Sequence, residues 1–196
     1  TSAPPHYEDA PHIQVYKSDN SVKKMCRDLK IETVRKQKEY STQKVNLFHH
    51  WQEQEISSVM ISAGAPRTIN LQQCENLFQG ILNFMKAEGI LKDHRNKNSE
   101  NKGKTQIYKP DEEILVKTTT AGIFLQEVEV GSYLKQGQKI GEVRDIYSGK
   151  KLEELISSED GLLITLRQYP IVYEKEPIAI ILKAKNSWRE YFPWNR

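Results

Sequence analysis

The segment best placed to do chemistry is Ser62-Ala63-Gly64-Ala65-Pro66-Arg67. A short apolar run from Ile56 to Ile61 leads into it, and Leu71, Cys74, Leu77, Phe78, Ile81, Leu82 and Met85 then recur at spacings of three and four until Gly89. This order predicts a buried strand, a small-residue turn and a long helix packed back on the sheet. In open α/β sheets, sites are built outside the carboxyl ends of strands, which makes Ser62 to Pro66 the expected location. Arg67, just beyond the turn, carries a guanidinium fork that matches a carboxylate with two parallel hydrogen bonds.

Other reactive side chains are arranged less favourably. His49 and His50 are adjacent on a helical segment, so their rings point about 100° apart and do not converge on one ion. Cys26 and Cys74 each fall on an apolar helix face and read as core thiols in a reducing compartment, because two such cysteines make no disulfide scaffold. The net charge of +3, from 29 basic and 26 acidic residues, does not indicate a phosphate-binding surface, and no nucleic-acid partner is expected. No run is long and apolar enough to span a membrane, and a soluble cytoplasmic protein is expected.

The elements that must position these groups fall into two regions. Thr1 to Pro11 is proline-rich and reads as an extended loop; Ile13 to Tyr16 alternates as a strand, and Asp19 and Asn20 start a helix carrying Val22, Met25, Cys26 and Leu29. Ile31 to Val34 suits a short strand, Arg35 to Glu39 a solvated charged loop, and Thr42 to Glu55 a helix. His94 to Lys109 lacks apolar periodicity and reads as a linker. Beyond it, Ala121 to Leu182 is one unit written twice. Ala121-Gly122-Ile123-Phe124 is echoed by Asp160-Gly161-Leu162-Leu163, each followed by a second apolar strand, which predicts two four-strand halves folded face to face. Trp188, Tyr191, Phe192 and Trp194 crowd the end of the chain and are expected to dock on some surface. An apolar content of only 37% fits exposed linkers or a surface covered by another chain.

The phrases around Gly122, Val130-Gly131-Ser132-Tyr133-Leu134-Lys135-Gln136-Gly137-Gln138-Lys139-Ile140-Gly141 and Gly161 resemble biotinyl and lipoyl carrier domains. They also resemble the C-terminal domain of the succinylglutamate desuccinylase and aspartoacylase family of zinc deacylases. A carrier needs a lysine at a short hairpin tip flanked by methionine; the hairpin Arg144 to Lys151 is longer, has no methionine, and leaves Lys150 and Lys151 as solvated turn residues. The order of strand, helix, strand ending near Gly64 and long helix ending in Glu88-Gly89-Ile90-Leu91 resembles the deacylase family over nearly the whole chain. The resemblance implies part of an α/β zinc-carboxypeptidase-like domain over residues 1–92, a linker over 93–109, a small all-β barrel-sandwich domain over 110–184 and an aromatic tail over 185–196.

It also implies chemistry. The family reads Glu-x-Gly where this chain has Ser62-Ala63-Gly64, so Ser62 stands at the position of the general base, and a serine hydroxyl is far too weak a base for that exchange. Thr1-Ser2-Ala3 resembles the residues that come immediately after the family's last zinc histidine, which puts the zinc ligands on residues outside this chain, in an upstream segment or a companion polypeptide. His6 and His12 lie on the segment after that histidine, and the family's barrel can lean a tyrosine, here Tyr173, toward the site. The implied activity is hydrolysis of an N-acyl amino acid or related amide, with Arg67 holding a carboxylate and the isolated chain inactive. The alternative is a non-catalytic scaffold that keeps the architecture.

Overall fold

The computed structural model describes residues 3–16, 19–37, 47–92 and 105–185, without the side chains of His49 and Gln52. Residues 93–104 of the expected linker, the start of the Thr42 to Glu55 helix and the aromatic tail lie outside the described residues. Two compact units divide the chain: Thr1–Ala3 with Pro11–Pro110, and Pro4–Ala10 with Asp111–Arg196.

The first unit contains the later part of strand β1 (Tyr7–Val15), helix α1 (Asn20–Leu29), β2 (Thr33–Lys36), α2 (Leu47–Glu53), β3 (Met60–Gly64), α3 (Leu71–Ala87) and β4 (Gln106–Tyr108). The expected loop before Pro11 is in fact the first part of β1. Pro11 is tolerated there because it falls between two ladders, one pairing Tyr7 to Asp9 and the other Ile13 to Val15, so neither loses a donor. β1 runs parallel to β2 with Ile13 opposite Val34, β2 runs parallel to β4 with Thr33 opposite Gln106, and β3 pairs with β1. Alternation then sorts the side chains. Ile13, Val15 and Val34 face one way and pack with Val22, Cys26 and Leu29 of α1, with Ile61, Leu77, Phe84 and Ile107 against the same core. Asp19 caps α1 by accepting from the Val22 N–H at 2.8 Å, and Asn70 caps α3 by accepting from the Gln73 N–H at 3.1 Å.

Arg35 corrects the solvated-loop expectation, since it sits in β2 and is buried. Cys74 corrects the core-thiol expectation in the other direction: Cys26 is buried and Cys74 exposed. The cause is that α3 packs on α1 and the shared core through Gly80, Leu77 and Phe84, a face that leaves Cys74 outside. Its one fully buried residue is Gly80, where an added Cβ would stand 2.8 Å from the Leu29 carbonyl oxygen.

The second unit is β-rich: the first part of β1, then β5 (Glu113–Lys117), β6 (Gly122–Gln126), β7 (Tyr133–Leu134), β8 (Lys139–Arg144), β9 (Lys151–Ile156), β10 (Gly161–Arg167), β11 (Ile171–Val172) and β12 (Pro177–Lys183). The sequence repeat is visible as a symmetric exchange rather than as two separate halves. β6 pairs with β8 and β10 with β12 within each repeat, while β5 pairs with β12, β7 with β10 and β11 with β6 across repeats. The result is two sheets, with no closed barrel among the described residues. The repeated glycine has a steric cause: a Cβ on Gly122 would lie 2.4 Å from the Arg144 carbonyl oxygen, and one on Gly161 2.3 Å from that of Leu182. Phe124, Ile140, Val143 and Leu155 from one sheet share a core with Leu134, Leu163, Leu166, Ile178 and Ile181 from the other.

Two polar clusters brace this unit. Arg167, buried, donates to the Tyr169 carbonyl at 2.9 Å and pairs with Glu176 at 2.6 Å, while Tyr7 donates to the Pro177 carbonyl at 2.9 Å. Glu153 accepts from the hydroxyls of Thr118 at 2.6 Å and Thr119 at 3.0 Å, and from the Thr119 N–H at 2.9 Å. Burial pushes the Glu153 carboxyl up, but the threonine donors together outweigh it and hold the group below the ordinary carboxylate value.

Two outcomes check these packing and charge assignments. Gly80→Ala, stabilising by about 1 kcal/mol in an open helix, is expected instead to destabilise the first unit by about 1–3 kcal/mol, measured by denaturant unfolding. Glu153 has a folded pKa below its unfolded one, so its stabilisation is complete above the ordinary value of 4.5 and is lost as pH falls through the folded value. Glu153→Gln is therefore expected to cost about 1–2 kcal/mol at neutral pH and to flatten the acid limb of stability, read by melting at pH 7 and below 4.5.

Candidate functional site

Ser62 lies in the middle of β3 on the face opposite Ile61, and is 2% exposed. Two residues on, Gly64 ends the strand with φ +74°, and its carbonyl accepts from the Ala3 N–H at 3.2 Å. The start of the chain is thereby fastened to the carboxyl end of β3. Gln73, in the first turn of α3, sits against the same point. Its Oε1 would lie 3.3 Å from a Cβ on Gly64, and it is buried without a hydrogen-bond partner. Arg67 is exposed and adopts φ +67°, a left-handed conformation that an arginine takes at a cost.

The sheet face that carries Ser62 is polar and buried. His12, Thr33, Arg35, Ser62 and Tyr108 all lie below a tenth exposed, and alternation puts each opposite the apolar residue beside it. The Nε2 of His12 is approached by the Gln14 side-chain nitrogen at 3.1 Å and by Arg35 Nη1 at 3.5 Å. Gln37 donates to Gln14 Oε1 at 3.2 Å, which turns the Gln14 amide nitrogen toward the ring. A guanidinium has no acceptor, so in this contact Nε2 is the accepting nitrogen. Sequence reasoning missed this cluster and Gln73 alike. Only the β1–β2 register brings residues 12, 14, 35 and 37 together, and a lone glutamine at a helix start carries no signal.

The remaining expected groups are placed as follows. Tyr173 belongs to the second unit, 68% exposed, with its backbone N–H donated to Glu176 at 2.9 Å. His6 also belongs there, its ring 4.7 Å from that of Tyr169. His50 lies exposed, 4.0 Å from Glu53, and Lys151 pairs with Glu154 at 2.9 Å on the outside of its hairpin. Among the described residues, no group of three or more His, Cys, Asp or Glu side chains could hold a metal ion, and no helix is long and apolar enough to cross a membrane.

No protein-family model matches the chain, and no curated protein matches it. Solved structures do. A succinylglutamate desuccinylase/aspartoacylase from Rhodobacter sphaeroides matches 92% of this chain and 56% of its own, with a TM-score of 0.71 and 16% identity. The apo structure of an ectoine utilization protein from Ruegeria pomeroyi matches 91% of this chain and 56% of its own, with a TM-score of 0.72 and 15% identity. An aspartoacylase family protein from Mesorhizobium loti matches 94% and 55%, with a TM-score of 0.70 and 14% identity. The fold is thus that of the succinylglutamate desuccinylase/aspartoacylase structures, and this chain spans just over half the length of each.

Arg35→Met is expected to cost about 1–3 kcal/mol by removing a buried donor from His12, whereas Gln73→Met, which removes a buried acceptor that has no donor, is expected to leave stability unchanged or slightly raised. Denaturant midpoints of the two variants check the contrast.

Proposed function

We propose that this chain is the C-terminal portion of a zinc-dependent deacylase acting on N-acyl amino acids or related amides, inactive in isolation and completed by polypeptide outside these residues. The contact of Ala3 with Gly64 carries the reading. By the family resemblance the last zinc histidine would fall immediately before Thr1, and this hydrogen bond ties that segment to the strand end where the family has its general base. By the same resemblance, the zinc ligands are assigned to residues outside the chain. When bound, zinc would polarise the amide carbonyl and lower the pKa of a coordinated water.

In this reading the chain's own residues bind and position. Arg67, exposed beside the strand end, holds a substrate carboxylate through its guanidinium fork. Ser62 occupies the place of the base without its proton-accepting capacity. By the family resemblance, the second unit is a barrel-sandwich of the deacylase type. The assembly is cytoplasmic, in keeping with two free cysteines. Ser62 itself favours a second reading, a scaffold that keeps the architecture without turnover.

Zinc analysis and an N-acyl amino acid hydrolysis assay, on the chain alone and on the chain with its upstream-encoded polypeptide, separate the two. The deacylase reading expects zinc and turnover only in the assembly; absence of both in either preparation supports the scaffold. Ser62→Glu is expected to destabilise the isolated chain by a few kcal/mol, because it buries a carboxylate, and to raise turnover in the zinc-loaded assembly. An unchanged rate there overturns the placement of Ser62. Arg67→Ala should raise KM with kcat nearly unchanged.

A further inference from the structure

The turn that leads from β3 into α3 is fixed at several points. Gly64 and Arg67 both adopt left-handed backbone, with φ +74° and +67°. Thr68 Oγ1 donates to the Ala65 carbonyl at 3.2 Å, and Asn70 accepts from the Gln73 N–H at 3.1 Å. Arg67 therefore stands in the middle of this turn and Gln73 just beyond its end, both held by local hydrogen bonds rather than by chance.

One polar atom of this arrangement is left over. Gln73 Oε1 is buried and accepts from no donor, although a buried amide oxygen ordinarily finds one. It borders a notch. Around the point where a Cβ on Gly64 would stand, Oε1 is the one heavy atom within 4 Å outside residues 63 to 65, at 3.3 Å. Glycine keeps that point open, because any other residue would be strained by the positive φ and would set a carbon against the oxygen.

The chemistry of the two side chains defines what fits. An amide oxygen can only accept, so Gln73 Oε1 selects a ligand that brings an N–H or O–H. The exposed Arg67 selects an anion, and its fork matches a carboxylate. An N-acyl amino acid carries its carboxylate and its amide N–H on the same carbon. The ester of the same shape, in which oxygen replaces that N–H, keeps the carboxylate and loses the donor.

We propose that Gln73 Oε1 accepts the amide N–H of a ligand seated in the notch beside Gly64, which makes Gln73 the residue that admits N-acyl amino acids and rejects the corresponding O-acyl hydroxy acids. This role rests on the substrate class proposed above and adds to it the group that tells amide from ester. Rejection has two sources: with an ester the buried oxygen stays without a donor, and the ester oxygen turns its own lone pairs toward it.

N-acetylglycine and acetoxyacetate are the probes, titrated by calorimetry into the chain together with its upstream-encoded polypeptide, with zinc removed by chelation so that neither probe is consumed. N-acetylglycine is expected to bind about tenfold or more tightly than acetoxyacetate. Gln73→Met should bring that ratio to about one, chiefly by weakening N-acetylglycine, while Arg67→Ala should weaken both probes and keep the ratio. Gln73→Leu serves should the methionine variant fail to fold. Equal binding of the two probes by the unaltered protein overturns the proposal, as does binding of neither. A preference that survives Gln73→Met also overturns it, and leaves a buried water as the partner of the oxygen. Turnover of N-acyl amino acids by the zinc-loaded assembly, with the preference intact in Gln73→Met, keeps the deacylase reading and sinks this role; a preference lost in Gln73→Met without any turnover does the reverse.

Discussion

The parallel pairing of β1 with β2 is the constraint on which the first unit depends. It sets Ile13 against Val34 and, one residue on, Gln14 against Arg35. The period of two then divides the sheet into an apolar face that holds α1 and α3 and a polar face that holds His12, Arg35 and Ser62. Slipping β2 by one residue against β1 would turn Val34 out of the helix-covered core and Arg35 into it. The cost of burying a guanidinium against leucine and valine makes the alternative inaccessible. The core and the candidate site are therefore two consequences of one pairing.

The same logic fixes what the polar face can do. A buried cation is tolerable only where acceptors meet it, and the His12 imidazole lies beside the Arg35 guanidinium at 3.5 Å. The groups left for ligand chemistry near β3 are those whose capacity is not consumed internally, the exposed Arg67 and the Gln73 amide oxygen.

Much of the fold is legible in the sequence, and what escapes does so for physical reasons. The Asp19 cap, the span of α3 and its stop at Gly89, where φ is +72°, stem from local chemistry that acts within one turn. The doubled glycine phrase foretells a repeated close crossing of strands, because Gly122 and Gly161 are the positions where a Cβ would collide. It cannot foretell exchange, since identical halves contain no information on whether β7 pairs at home or with β10. The first part of β1 is hidden by Pro4, Pro5 and Pro11, whose cost depends on where the ladders begin, and that is a tertiary fact. The apolar run before Ser62 marks its strand, whereas its buried neighbours His12 and Arg35 are joined only by cross-strand register. Arg35 looks solvated because a run of charges normally is; its burial is decided by β2.

Cys74 shows how a correct pattern can be assigned to the wrong surface. Spacings of three and four mark a helix face that avoids water, and they are silent on what excludes the water. In α1 the excluder is the chain's own sheet, as buried Val22, Cys26 and Leu29 show. In α3 the end of α1 takes Gly80, the shared core takes Leu77 and Phe84, and the seam beginning at Leu71 is left over. One helix thus carries two apolar faces, and an intact layer needs both filled.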